Sequence, residues 1–255
     1  MQSLFSYLSF RCYNTFDMKI NVVILAGGVG KRMGTKQPKQ FLKVNRIPII
    51  VRTINNFQHN ERVNNITIVC VKEYISKVKK LVDEYHLTKV NNVVEGGHTG
   101  HDSTRNGVLS LKDKLGDNDF VIIHDAVRPL LPQLTLNKMI DTALEKGNAC
   151  LAVPCYETVI CTEDGKSGNK EIDRNTFLRV QTPQMYRYGL IRELYEKAER
   201  DNLHNFVYAN TLAIHYGTRI YFSDGFNCNY KITTKDDIPL YKALLKFSEE
   251  ELARR

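Results

Sequence analysis

Four short segments hold the residue types that handle phosphate. After an apolar run the chain reads Leu25-Ala26-Gly27-Gly28-Val29-Gly30-Lys31-Arg32-Met33, with Pro38-Lys39-Gln40 close behind. Glycine lets backbone N–H groups approach phosphate oxygens, and Lys31, Arg32 and Lys39 add charge suited to a polyphosphate. The competing reading is a tight strand-to-helix turn with solvated bases, and an arginine plus Pro-Lys at these offsets count against it. Two other phosphate loops fail on single residues. A Walker A loop needs Ser or Thr after Gly-Lys, where Arg32 stands, and a dinucleotide fingerprint begun at Gly28 needs a third glycine where Met33 stands.

Further along stands His124-Asp125-Ala126-Val127-Arg128-Pro129. A carboxylate at a strand end beside a triphosphate is a natural Mg²⁺ ligand, because Mg²⁺ takes one or two carboxylates and completes its shell with phosphate oxygens and water. Arg128 can hold a second phosphate through paired N–H bonds. Alternatively, Asp125 caps a helix and Arg128 is its surface partner. Gly96-Gly97-His98, followed by Asp102-Ser103 and Asn106-Gly107, suits backbone and hydroxyl contacts with a base and ribose, or is a loop ending in an N-cap. Near the end, Asn229-Tyr230-Lys231-Ile232-Thr233-Thr234 places a lysine in a short strand before an Asp236-Asp237 helix start. That lysine either serves phosphate or snorkels past apolar neighbours.

These segments need a frame that brings them to one edge. Apolar runs of strand length alternate with segments of helical period, at residues 20–25, 48–57, 66–71 and 75–85. The alternation predicts an α/β fold of parallel strands joined by crossover helices, with residues 121–123 and 150–153 as further short buried strands. Ligands of such open sheets gather at the carboxyl ends of the strands. Residues 154 to about 176 are polar and turn-rich, which predicts a hairpin arm of the kind that reaches a second subunit. Helices are expected at residues 188–200, 205–216 and 234–253, and a strand at 219–222.

Composition sets outer bounds. A chain of 255 residues, 42% hydrophobic and 25% charged, can bury one core, so residues 18–255 are expected to form a single domain. Residues 1–17, aromatic-rich with Arg11 as their basic residue, precede a second methionine, Met18. They are expected to be a frayed extension or the product of an upstream start codon, not a signal peptide. No run approaches the roughly 20 apolar residues of a membrane-spanning helix. The six cysteines, Cys12, Cys70, Cys150, Cys155, Cys161 and Cys228, lack CxxC spacing, which suggests a reducing cytoplasm and no structural zinc. The net charge of +8 suits acidic partners of either kind, nucleic acid or phosphorylated metabolites. With no RRM-type aromatic motif, no long basic run and no zinc-finger spacing, neither a nucleic-acid nor a membrane partner is expected.

Together the segments resemble the cytidylyltransferase family that includes the methylerythritol-phosphate and ribitol-phosphate enzymes, from about Lys19 to Leu245. The resemblance runs, in order, through the glycine loop with Pro38-Lys39-Gln40, the Gly96-Gly97 to Ser103 turn, the His124 to Pro129 segment, Gln181-Thr182-Pro183-Gln184, and Asn229-Tyr230-Lys231-Ile232-Thr233. It implies a Rossmann-like nucleotidyltransferase fold, CTP as donor, Mg²⁺ as cofactor and a small polyol phosphate as acceptor. By the same resemblance Gly27, Gly28 and Gly30 would wrap the triphosphate beside Ala26, with Gly97 and Ser103 near the cytosine. Arg32, Lys39 and Lys231 would offset charge at the α-phosphorus, and Asp125 would hold Mg²⁺. Thr158 and Arg174 of the arm would meet the acceptor phosphate across a homodimer, with Arg128 as a further acceptor-binding residue.

The chain also departs from that pattern. Methylerythritol enzymes commonly carry an aspartate before the Asn-x-Lys element, an acidic Thr-Asp-Glu-like segment and an arginine in the glycine turn. Here Cys228, Val207-Tyr208-Ala209-Asn210 and Gly100 stand in those places. The lost acids, with Leu25-Ala26-Gly27-Gly28, favour ribitol 5-phosphate or a related surface-polysaccharide polyol phosphate as acceptor. The spacing between Met33 and Pro38 looks more like the methylerythritol branch. A CTP-binding paralogue without transfer is the remaining alternative, since Cys228 removes a charge that a metal can use.

Overall fold

The first apolar run becomes the middle of the molecule. In the computed structural model, which describes residues 18–28 and 37–247, β1 (Ile20–Ala26) is followed by a small hairpin, β2 (Lys43–Val44) and β3 (Ile47–Pro48). Then come α1 (Ile49–Gln58), β4 (Asn65–Cys70), α2 (Ile75–Glu84), β5 (Val90–Glu95), α3 (Gly100–Leu109), β6 (Phe120–Asp125), α4 (Gln133–Lys146) and β7 (Asn148–Pro154). The arm hairpin, β8 (Val159–Cys161) and β9 (Lys170–Ile172), leads into β10 (Leu178–Arg187), α5 (Tyr188–Arg200), α6 (Ala209–His215), β11 (Phe222–Asp224) and α7 (Asp237–Leu244).

Seven strands form the main sheet in the order β11-β7-β10-β6-β1-β4-β5. β5, β4, β1 and β6 run parallel, while β10 lies antiparallel between β6 and β7. Alternate residues of β1 explain why its sequence is an unbroken apolar run. Val22 and Ile24 pack with Ile54 and Phe57 of α1, Val78 of α2 and Met139 of α4 on one face. Val23 packs with Val108 of α3, Tyr195 of α5 and Leu212 of α6 on the other. Truncating Phe57, which is fully buried, would cost about 3–5 kcal/mol. Gly107 lets α3 lie this close to the sheet, since a Cβ there would meet Val23 Cγ1 at 2.5 Å and Val69 Cγ2 at 2.7 Å.

The expected α/β sheet, the arm hairpin and helix Tyr188–Arg200 are all present. Four expectations need correction. β10 is a full antiparallel strand pairing with both β6 and β7, whereas the sequence reading assigned no strand to Gln181-Thr182-Pro183-Gln184. Its polar residues are buried because they bond other segments, so no apolar run announces it. The helix expected at 205–216 starts only at Ala209, because Tyr208 is extended and Phe206 packs on the rings of His101 and His215. The strand expected at 219–222 is β11, shifted to Phe222–Asp224, where it pairs with Cys150, Leu151 and Ala152 of β7. Lys231 lies in a non-strand segment fastened by Ile232 N–H donating to the Val127 carbonyl. The closing helix is described over Asp237–Leu244, with residues beyond 247 outside the described part. The expectations for residues 1–17, and those for Gly30, Lys31 and Arg32, also lie outside it.

Candidate active site

The carboxyl ends of β5, β1 and β6 open onto a cavity of about 380 Å³. Ala26, Gly27 and Gly28 line it where β1 ends. Gln40 holds that turn open by donating its Nε2 to the carbonyls of Ala26 at 2.7 Å and Gly28 at 3.0 Å. The short 3₁₀ turn Lys39–Phe41 thereby also sets Lys39, largely buried, into the cavity wall.

After β5, Gly97 begins a turn that admits no side chain, because a Cβ would lie 2.1 Å from Asp102 Cβ. Ser103 Oγ accepts from Gly97 N–H at 3.1 Å and donates to the Thr99 carbonyl at 2.9 Å. Thr99 and Asp102 close a reciprocal capping box at the start of α3. Burial pushes the Asp102 carboxyl up, and its hydrogen bonds with Thr99 more than reverse that, leaving it below the ordinary carboxylate value.

The floor is built at the end of β6. Asp125 Oδ1 accepts from Lys231 Nζ at 2.9 Å and Oδ2 from Arg128 Nε at 3.1 Å. Thr182 Oγ1 accepts from Asp125 N–H at 3.1 Å. Arg128 Nη1 reaches the Asn229 carbonyl at 2.7 Å, and the fully buried Asn229 Nδ2 donates to the Thr182 carbonyl at 2.9 Å. Segments far apart in sequence are thus one interlocked unit. Burial would push the Asp125 pKa up, but Lys231 and Arg128 outweigh it and hold the carboxyl at about 2. His124 is fully buried, which lowers its pKa to about 4, and its Nε2 lies 3.1 Å from the Arg128 carbonyl, so it is a neutral structural donor.

Gly30 and Arg32 aside, which lie outside the described residues, the site residues expected from sequence divide into three groups. Ala26, Gly27, Gly28, Lys39, Gly97, Ser103, Asp125 and Lys231 all line this one cavity. Arg128 does not line it: its guanidinium is buried against Asp125 and Asn229, so the reading of Arg128 as a surface partner is excluded. Asp125 as a helix cap is excluded too, since the next helix starts at Gln133 behind Pro132. Thr158 and Arg174 are exposed on the arm, away from the cavity wall, with Arg174 Nη1 donating to the Tyr156 carbonyl at 3.1 Å. Gln40, Thr182, Gln184 and Tyr208 also shape the cavity, although none of them is assigned a site role from the sequence. The residue strings were visible; the long-range bonds that give them purpose were not.

A mostly parallel sheet with a cation-lined cavity at its carboxyl edge defines the class: an α/β protein built to receive a polyanion. Residues 20–247 match the family model for 2-C-methyl-D-erythritol 4-phosphate cytidylyltransferase, and the chain belongs to that cytidylyltransferase family of nucleotidyltransferases. It is 38% identical over 232 residues to a ribitol-5-phosphate cytidylyltransferase of Lacticaseibacillus paracasei, covering 90% of this chain and 99% of that one. It is 34% identical over 219 residues to a 2-C-methyl-D-erythritol 4-phosphate cytidylyltransferase of Clostridium botulinum, covering 86% and 96%. The crystal structure of 2-C-methyl-D-erythritol 4-phosphate cytidylyltransferase from Francisella tularensis shares the fold, with a TM-score of 0.75 at 24% identity over 88% of this chain and 99% of that one.

Proposed function

We propose that this protein transfers CMP from CTP to a polyol phosphate, ribitol 5-phosphate before others, releasing pyrophosphate. The observation that carries the reading is the meeting of two glycine turns with Lys39, Asp125 and Lys231 around one cavity. An acceptor phosphate oxygen attacks the α-phosphorus in line with the departing pyrophosphate, and the crowded negative charge must be offset. Lys39 and Lys231 supply fixed positive charge there, and Asp125 holds Lys231 in place before any ligand arrives. The backbone at Gly27 and Gly28 offers room for phosphate oxygens, while the Gly97 to Ser103 turn takes the base and ribose.

Mg²⁺ fits this donor set in one particular way. Among the described residues no group of three or more His, Cys, Asp or Glu side chains is arranged to hold a metal, and Asp125 is an ionised carboxylate facing the cavity. One carboxylate plus phosphate oxygens and water is a normal Mg²⁺ shell. Asp125 would hold the ion together with the triphosphate, and the ion would add charge neutralisation to that of the lysines.

Ribitol 5-phosphate is favoured by ribitol-5-phosphate cytidylyltransferase relatives at 38% and 36% identity and by Tyr208 and Cys228 standing where acids occur in methylerythritol enzymes. The family model and the Clostridium relative keep methylerythritol phosphate as the second reading. We also read the protein as a cytoplasmic homodimer. Exposed Tyr156, Ile160, Leu178 and Val180 on and beside the arm supply apolar surface for a second copy, and among the described residues no helix is long and apolar enough to cross a membrane. Pyrophosphate release with CTP and Mg²⁺, comparing the two acceptors at matched concentration, tests the reading. Faster release with ribitol 5-phosphate is expected; CTP binding without release from either acceptor would contradict it.

A further inference from the structure

Across the strand order, the cavity wall changes character. Gly97 follows β5, Gly27 and Gly28 follow β1, Asp125 ends β6, and Thr182 and Gln184 belong to β10. With strands about 4.8 Å apart, the β5 and β10 ends lie roughly 19 Å from each other. That span gives one cavity separate ends for two substrates. Beyond Asp125 the lining from β10 and the start of α6 carries no charge: Thr182, Gln184, Val207, Tyr208 and Ala209.

Within that neutral wall, Gln184 is 1% exposed and its orientation is fixed. Its Oε1 accepts from Asn210 N–H at 3.1 Å and from Tyr186 Oη at 3.1 Å. A backbone N–H can only donate, so the amide oxygen must face Asn210, and the Nε2 donor pair is left turned away from both of these partners. Among the described residues that Nε2 meets no protein acceptor, although Gln184 lines the cavity. Tyr208, half-buried, lies beside it at the start of α6, with Lys231 Nζ 5.8 Å from the centre of its ring. The same ammonium group bonds Asp125, so Tyr208 marks the border between the charged floor and the neutral wall.

We propose that Gln184 and Tyr208 form a neutral subsite for the hydroxylated carbon chain of the acceptor. Gln184 Nε2 donates to a hydroxyl oxygen, the Tyr208 ring packs against the C–H face of the chain, and the acceptor's phosphate points toward Lys231. A polyol phosphate is charged at one end and neutral but hydrogen-bonding at the other, and this part of the wall is divided in the same way. The assignment rests on the polyol-phosphate reading above and adds two acceptor-binding residues to it.

Three variants test it: Gln184→Glu, which keeps an oxygen for Asn210 and Tyr186 but removes the donor pair, Tyr208→Ala, and Tyr208→Phe. Steady-state pyrophosphate release gives KM for each substrate, and calorimetry gives the CTP dissociation constant. Gln184→Glu and Tyr208→Ala are expected to raise acceptor KM about tenfold while CTP affinity stays within about twofold, and Tyr208→Phe is expected to recover most of the loss. Should wild type turn over a polyol phosphate while the variants weaken CTP and leave acceptor KM alone, the subsite is overturned and the transferase reading stands. Should wild type release no pyrophosphate with any polyol phosphate, both fall together. If Gln184→Glu fails to fold, the two Tyr208 variants decide the matter alone.

Discussion

The cavity floor and the arm use the same residue types under opposite conditions. On the floor, Asp125, Arg128 and Asn229 are buried and bonded across more than a hundred positions of sequence, so Lys231 is aimed before a ligand arrives. On the arm, Arg174 and Thr158 are exposed, and the Arg174 guanidinium is held by one backbone carbonyl. Charge preorganised in a low-dielectric network can act on the reacting phosphorus without reorganising. An exposed arginine is screened by water and salt and gains strength only when something covers it. The described part of the floor is therefore held together within one chain, while Thr158 and Arg174 of the arm face solvent.

The sharpest break in this comparison is Asp125→Ala. It leaves the Arg128 guanidinium buried without a counter-charge, so a stability loss of roughly 3–5 kcal/mol is expected in urea denaturation, alongside lost activity. A variant with wild-type stability would show that the floor is not a coupled unit. Next come Lys39→Ala and Lys231→Ala, each expected to lower turnover by about 10²- to 10³-fold with CTP still bound. Near-normal kcat in either variant would remove that lysine from the chemistry. Arg174→Ala is expected to raise acceptor KM by about tenfold or more, the worth of a charge-assisted hydrogen bond. Its unfolding free energy should stay within about 0.5 kcal/mol of wild type, so a large stability change would mean the arm is structurally embedded after all.

The smallest effect concerns Asp237, whose carboxylate accepts from the N–H groups of Thr233 at 2.6 Å and Thr234 at 2.8 Å and so ties the Lys231 segment to α7. Burial pushes its pKa up, and these bonds outweigh burial and lower it. A depressed folded pKa stabilises above the unfolded value of about 3.9 and loses that contribution as pH falls through the folded pKa. Comparing wild type with Asp237→Asn, the stability difference should be constant near neutrality and shrink below about pH 4. A difference unchanged down to pH 2 would refute the cap's contribution.

Much of this was legible in the sequence where a local rule sufficed. Apolar runs marked β1, β4 and β6 because strands buried on both faces show no alternation. Gly27, Gly97 and Asp125 were recognisable because turns and strand ends carry their own residue signatures. The roles of Gln184 and Asn229 were not, since a buried polar residue bonded to distant partners looks like any surface glutamine or asparagine. Arg128 shows the same limit from the other side: its charge was evident, but its direction was decided by Asp125 and Asn229, which turn it from the cavity. The segment 205–208 was misjudged because Phe206 joins an aromatic cluster around His101 instead of continuing a helical face.

The most direct test of the central claim is phosphorus NMR of the reaction of CTP, Mg²⁺ and ribitol 5-phosphate. The account predicts a new diphosphate diester and one pyrophosphate for each CTP consumed, both absent without the acceptor. CTP hydrolysed to CMP and pyrophosphate with no diester, or CTP left intact in the presence of a folded, CTP-binding protein, would contradict it.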